Sequence, residues 1–350
     1  MSPSPANADV SLQASDLETV LSALIDQLQA YTFPEVAERI QSDIKRRLAE
    51  GGYADLSGGQ QLADTLTAQL QQLSGDLALC LHFSPLPLPH LEATAPSPAD
   101  LAQQGVASRR RNFDINRVER LAGNVGYVQL FSFEPPELAA ESLAAAMTLV
   151  AHTDALIVDL RHNQGGSPAT VAFLCSYLFP AHPPIHLNDL YWRTTDQTQQ
   201  WWTLPHVPGP RYLDRPVFVL TSPETFSAAE EFAYNLQTLK RAQVVGETTR
   251  GGANPGQGFR LHDHFWVFIP TGRAINPVTG GNWEGTGVLP DLKVPTEIAL
   301  ETAHLVALNQ LLEVAPPGAV RREIEDSLPR IERSLQQKRQ DLMAHLGGAR

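Results

Sequence analysis

Residues 215–247 read RPVFVLTSPETFSAAEEFAYNLQTLKRAQVVGE, and their pattern decides the class of fold. Val217 to Leu220 form a short continuous apolar run, the mark of a strand buried on both faces. A polar S-P-E-T turn follows, and then Ala229, Phe232, Leu236 and Leu239 recur three or four apart, which predicts a helix beginning near Ser227. QVVGE is a second short strand. Ser227 therefore falls at a helix N-terminus just beyond the carboxyl end of a strand. Backbone N–H groups at such a place can stabilise an oxyanion, so Ser227 is a candidate nucleophile. Serine is also a favoured N-cap, and Glu230 three residues on completes a capping box. The two roles are compatible.

The same alternation extends upstream. VGYVQLFSF alternates like a strand, ELAAESLAAAMTLV is helical, ALIVDL is a buried strand, and residues 168–178 are helical again. Strands alternating with helices predict an α/β (α+β) fold, a mixed sheet with crossover helices on its faces. Between ALIVD and the next helix lies LRHNQGGSP, a Gly-rich turn whose backbone N–H groups point outward. It lacks the spacing of a phosphate loop. It fits an oxyanion-binding turn and a plain tight turn equally well. Downstream, Glu284 sits between Trp283 and Gly285 in a glycine-rich loop; it reads as a solvated charge or as a functional carboxylate.

Three helical stripes precede the sheet: Leu17, Leu21, Leu24 and Leu28; Val36, Ile40, Ile44 and Leu48; Leu62, Leu66, Leu70 and Leu73. Each is apolar on one side only and must be covered, so a small three-helix domain over 11–74 is expected, after a polar, disordered tail over 1–10. A strand and a Pro-rich connector occupy 75–110, the α/β core 111–315, and a charged helical segment suited to docking or assembly into an oligomer 316–350. No internal repeat is visible.

With 350 residues, 43% hydrophobic and 18% charged, the chain can bury a sizeable core without disulfides. A net charge of −12 with no long basic run argues against nucleic acid or an anionic membrane as partner. Cys80 and Cys175 lie in apolar runs and read as small buried hydrophobes. No stretch is long and apolar enough to insert in a membrane, and the first residues show no charged and apolar leader, so a cytoplasmic location is expected. The histidine pairs His182/His186 and His262/His264 form no metal-ligating pattern; neither metal nor cofactor is expected.

Four ordered motifs together carry a resemblance: D-L-R-x-N-x-G-G at Asp159 to Gly166, T-F-S-A-A-E-E at Thr225 to Glu231, G-E-T-x-x-G-G at Gly246 to Gly252, and E-G-x-G-V-x-P-D at Glu284 to Asp291. They resemble the tail-specific protease superfamily, the C-terminal processing peptidases, on the branch of interphotoreceptor retinoid-binding protein. That resemblance implies a ClpP/crotonase-like core, a serine-type peptidase acting on a peptide or protein substrate, Ser227 as nucleophile, and an oxyanion hole from the N–H of Ala228 and of Gly165 or Gly166. The family's PDZ domain is not evident. Where one branch of the family has a lysine base, this chain has Gly252; its lysines are Lys45, Lys240, Lys293 and Lys338, none of them in that turn. Where the serine–histidine–glutamate branch has its histidine, this chain has Ala78, although Glu284 matches the glutamate. His82 is the candidate base, four residues on and roughly 13 Å along an extended strand. His162, beside the oxyanion turn, is the other. The retinoid-binding resemblance also implies an alternative, a catalytically impaired module that binds an apolar ligand such as a retinoid or fatty acid.

Overall fold

The computed structural model describes residues 12–88 and 98–347. The tail expected over 1–10 and residues 89–97 of the connector lie outside that range. The chain divides into two compact units, the first made of Met1–Ala95, Asp189–Gln199 and Gly252–Ile275, the second of Pro96–Asn188, Gln200–Gly251 and Asn276–Arg350.

The chain opens with α1 (Ala14–Gln27), α2 (Pro34–Ala49) and α3 (Gly59–Ser74), and then β1 (Cys80–Phe83). Pro34 at the first turn of α2 brings a preset helical φ and no orphan donor. Gly75, at φ +72°, ends α3 in the left-handed conformation that a Cβ would oppose. Most of each stripe foreseen from apolar spacing is buried here: Leu21, Leu24, Leu28, Ile40, Ile44, Leu62, Leu66 and Leu70 form one core, with Leu17, Val36 and Leu73 partly buried against it and Leu48 exposed. The helices do not close that core alone. Leu81, Phe265, Val267 and Ile269 join it, from a three-stranded antiparallel sheet whose other strands come from far along the chain.

The second unit begins with α4 (Pro98–Arg110) and continues β2 (Ile115–Leu121), β3 (Val125–Leu130), α5 (Pro136–Val150), β4 (Ala155–Asp159) and α6 (Pro168–Leu178). After β5 (His186–Trp192) and β6 (Gln197–Trp202) come β7 (Val217–Thr221), α7 (Ala228–Thr238) and β8 (Gln243–Gly246). The hairpin β9 (Gly256–His262) and β10 (Phe265–Pro270) pairs with β1, and β11 (Gly272–Ile275) pairs with β5. Short β12 (Leu292–Lys293), α8 (Ala299–Val314) and α9 (Ala319–Gly347) finish the chain.

The main sheet has the order β12-β8-β7-β4-β3-β2, parallel throughout except for β2 at its edge. Side chains alternate between its faces, so each central strand must be apolar on both. Val125, Tyr127, Ala155, Ile157, Phe218 and Leu220 pack under Ala303, Ala307 and Leu308 of α8. Val128, Leu130, Leu156 and Val158 face Met147 of α5, Leu174 and Leu178 of α6, and Phe232 of α7. That double covering is why these strands read as continuous apolar runs. It also leaves the loops at the carboxyl ends of β4 and β7 as the place where polar groups can converge.

Candidate active site

Two loops meet at that edge, and hydrogen bonds stitch them together. The Phe226 N–H donates to Asn163 O at 3.0 Å, and the Thr225 hydroxyl to Leu160 O at 2.8 Å. The Ser222 hydroxyl donates to Arg161 O, and the Gln164 amide to Glu224 O at 2.9 Å. Gly165 lies so close to Ser227 that a Cβ added there would stand 2.7 Å from the serine Cβ and 3.0 Å from the Ala228 nitrogen. Gly165 and Gly166 have φ of +99° and +139°, and a Cβ on Gly166 would meet Phe133 O at 2.2 Å. Only glycine fits either place.

Ser227 itself has φ +55° and ψ −123°, a backbone state that opposes any Cβ. Strain of this kind typically costs about 1–3 kcal/mol and persists only where the surroundings over-determine it. Glu230, fully buried, is that surrounding. Its Oε2 accepts the Ser227 N–H at 2.8 Å, while its Oε1 accepts the Thr249 hydroxyl at 2.5 Å and the Gly251 N–H at 2.6 Å. The capping-box glutamate thus ties the serine to the Thr249–Gly251 turn, a second function that local spacing does not reveal.

The same turn positions Glu284. Gly251 O accepts the Gly285 N–H at 2.9 Å, and Asn282 Oδ1 accepts the Glu284 N–H at 3.0 Å. Buried Trp283 packs on Tyr234 of α7, ring centroids 5.4 Å apart. Glu230, Gly251 and Gly285 therefore form a continuous chain of bonds from the backbone of Ser227 to the backbone of Glu284.

Of the three candidate oxyanion residues, Gly165 has its N–H already donated to Asn163 Oδ1 at 2.8 Å. The N–H groups of Gly166 and Ala228 have no acceptor among the described residues. Asn163 is buried and also donates to Leu130 O at 3.1 Å, so it fixes the turn from both sides. Beneath it, burial pushes the Asp159 carboxyl up, but the bidentate Arg161 guanidinium outweighs this and holds it below the ordinary carboxylate value. Arg161 also donates to Thr296 O at 2.7 Å, locking the loop to the chain beyond β12.

The histidines are placed less simply. His162 pairs its Nδ1 with Glu224 Oε2 at 2.9 Å, both side chains exposed, and stands edge-on to Phe131. His82 belongs to the first unit and Ser227 to the second. The His82 ring stacks on Trp266 with centroids 4.0 Å apart, and its Nε2 lies 3.0 Å from Cys80 Sγ. Burial lowers its pKa, which keeps the imidazole neutral near pH 7. Within the second unit no described histidine hydrogen-bonds to Ser227. Cys80 is half-buried, so its thiol is a polar neighbour of His82 and not a core group, whereas Cys175 is buried as its apolar run implies. Arg250 was not foreseen. Its guanidinium stands 4.7 Å from the centre of the Phe226 ring, one residue before the serine.

Residues 124–294 match the family model for Peptidase family S41, and residues 9–107 match the model for the N-terminal domain of Peptidase_S41 in eukaryotic IRBP. This chain belongs to the S41 peptidase family. Among named S41 relatives, the tail-specific protease of Haemophilus influenzae is 28% identical over 154 residues, covering 41% of this chain and 20% of that protein. The carboxyl-terminal-processing protease of Synechocystis is 27% identical over 168 residues, covering 48% of this chain and 37% of that protein. The matched segments thus span well under half of those relatives. The fold is shared with a putative peptidase from Parabacteroides merdae at TM-score 0.57 and 20% identity, covering 83% of this chain and 96% of that one. A lipoprotein from Streptococcus agalactiae matches at TM-score 0.50 and 15% identity, covering 87% and 99%. No helix among the described residues of this S41 chain is long and apolar enough to cross a membrane, and no described cluster of side chains could hold a metal ion.

Proposed function

We propose that this S41 chain is a serine-type peptidase with Ser227 as its nucleophile. The observation that carries the reading is the strained serine at φ +55°, braced by buried Glu230 and set against Gly165. A serine that served only as a cap would adopt ordinary extended angles. The Ser227 hydroxyl would attack the peptide carbonyl carbon. The oxygen of the tetrahedral intermediate would take hydrogen bonds from the Ala228 and Gly166 N–H groups. Gly165 shapes the turn without donating, its N–H being held by Asn163.

The serine proton needs an acceptor, and the candidate base is His82, whose imidazole burial keeps neutral near pH 7. The C–N bond then breaks, the imidazolium returns the proton to the leaving amine, and water repeats the sequence on the acyl-enzyme. Because neither Ala78 nor Gly252 carries a base, turnover is expected to be slow, and base catalysis is worth about 10²–10⁴-fold. Peptide or protein is the substrate class. Covalent capture of Ser227 by a fluorophosphonate tests the nucleophile. Loss of turnover in His82→Ala without loss of folding tests the base, and unchanged turnover would remove His82 from the mechanism.

A retinoid or fatty acid between the sheet and α5, α6 and α7 would need new space. The apolar cavity between the sheet and α5, α6 and α7 has room for about one water. The peptidase reading requires no such opening.

A further inference from the structure

The first unit carries a groove of about 350 Å³ that takes no part in the chemistry assigned to Ser227. Arg273, exposed on β11, stands between two rings, its guanidinium 5.9 Å from the centre of Phe33 and 5.6 Å from that of Tyr191. It has no carboxylate within ion-pair distance among the described residues. Arg193 on the same wall is committed to the carbonyls of Gln29 and Tyr31, which fixes a second positive charge there. The floor is Thr32. It is 5% exposed, its N–H is held by Pro270 O at 2.9 Å, and its Oγ1 is buried with no hydrogen-bond partner. The groove also borders the first turn of α2, whose N-terminus has no side-chain cap. Glu35 in that turn is the one acid on the rim.

The Arg273 guanidinium and the Glu35 N–H at the uncapped start of α2, neither with an acceptor among the described residues, lack the same thing, an anionic acceptor. A guanidinium stacked between rings is pre-oriented to form paired hydrogen bonds with a planar oxyanion, and the rings on either side suit an apolar or peptide body. A local excess of two arginines over one glutamate, in a chain of net charge −12, would draw acidic segments from solution. We propose that this groove binds the carboxylate of an acidic peptide, with Arg273 as its anchor. The inference does not rest on Ser227, and its failure leaves the peptidase reading untouched.

The test uses the full chain carrying Ser227→Ala, so that no probe is cleaved, and reads binding by calorimetry. Three acetylated pentapeptides serve as probes: one amidated with a central glutamate, one amidated with glutamine in its place, and the glutamine peptide with a free C-terminal carboxylate. Binding of either carboxylate peptide at least about tenfold tighter than the amidated glutamine peptide supports the proposal, and which one binds identifies the source of the carboxylate. Arg273→Gln should weaken binding by about tenfold or more, with Arg273→Lys intermediate because a point charge replaces a planar fork. Glu35→Gln should tighten it about threefold. Equal binding of all three peptides, no binding of any, or full binding by folded Arg273→Gln overturns the proposal.

Discussion

Strain at Ser227 and a buried proton on Glu231 can each be measured one residue at a time. At φ +55° glycine is at ease where alanine is not. Ser227→Gly should therefore be more stable than Ser227→Ala by about 1 kcal/mol in urea unfolding, the relief of strain exceeding the flexibility that glycine adds to the unfolded chain. Equal stabilities would mean that the serine is not strained. Glu231, next to the bracing Glu230, is buried beside Asn188 and Asn235, and burial pushes its carboxyl up to about 8. The thiol of Cys175, itself raised by burial, is the other titratable group near it. Below about pH 4.5 folded and unfolded states both carry the Glu231 proton. From there to about pH 8 only the folded state retains it, so stability falls as pH rises, by up to about 1.4 kcal/mol per pH unit, and levels off above. Glu231→Gln should flatten that slope in urea titrations between pH 5 and 8. An unchanged slope would show that the group ionises normally.

At the scale of elements, the two loops after β4 and β7 work as one piece because Asn163, Thr225 and Gln164 bond across them. Gly165→Ala would drive a methyl against Ser227 and the Ala228 nitrogen in a backbone state that opposes it. It should lower kcat about 10²-fold or more while the far-UV spectrum stays native, as expected when an oxyanion donor is displaced. Full activity would mean that the loops are not set by this contact. Leu308 of α8 is fully buried against the sheet, and a Cβ on Gly123 would stand 2.3 Å from it. Leu308→Ala should cost about 2–5 kcal/mol of stability with little change in KM for the folded fraction, because the core it leaves empty is on the face of the sheet packed by α8.

At the scale of the whole molecule, what the sequence revealed was periodicity, and what it hid was everything joined over distance. Leu21, Leu24 and Leu28 announce a buried helix face by spacing alone, and Val217 to Leu220 a buried strand by length and composition. Nothing in residues 11–74 announces that Phe265, Val267 and Ile269 complete their core, because a hydrophobic stripe does not name its partner. The site divides the same way. Ser227, Gly165 and Glu230 were readable as turn and cap residues. The bonds of Glu230 to Thr249 and Gly251 are long-range, and so is the capture of the Gly165 N–H by Asn163, which leaves Gly166 as the available donor.

Ser227 as nucleophile is the central claim, and one measurement bears on it most directly. Folded wild-type chain is treated with a fluorophosphonate across pH 4 to 8, digested, and mapped by mass spectrometry. Covalent mass on Ser227, rising as an imidazole of lowered pKa loses its proton, absent from Ser227→Ala and reduced in His82→Ala, is the predicted result. Folded protein that carries no label on Ser227 at any pH, or equal labelling of other surface serines, would contradict it.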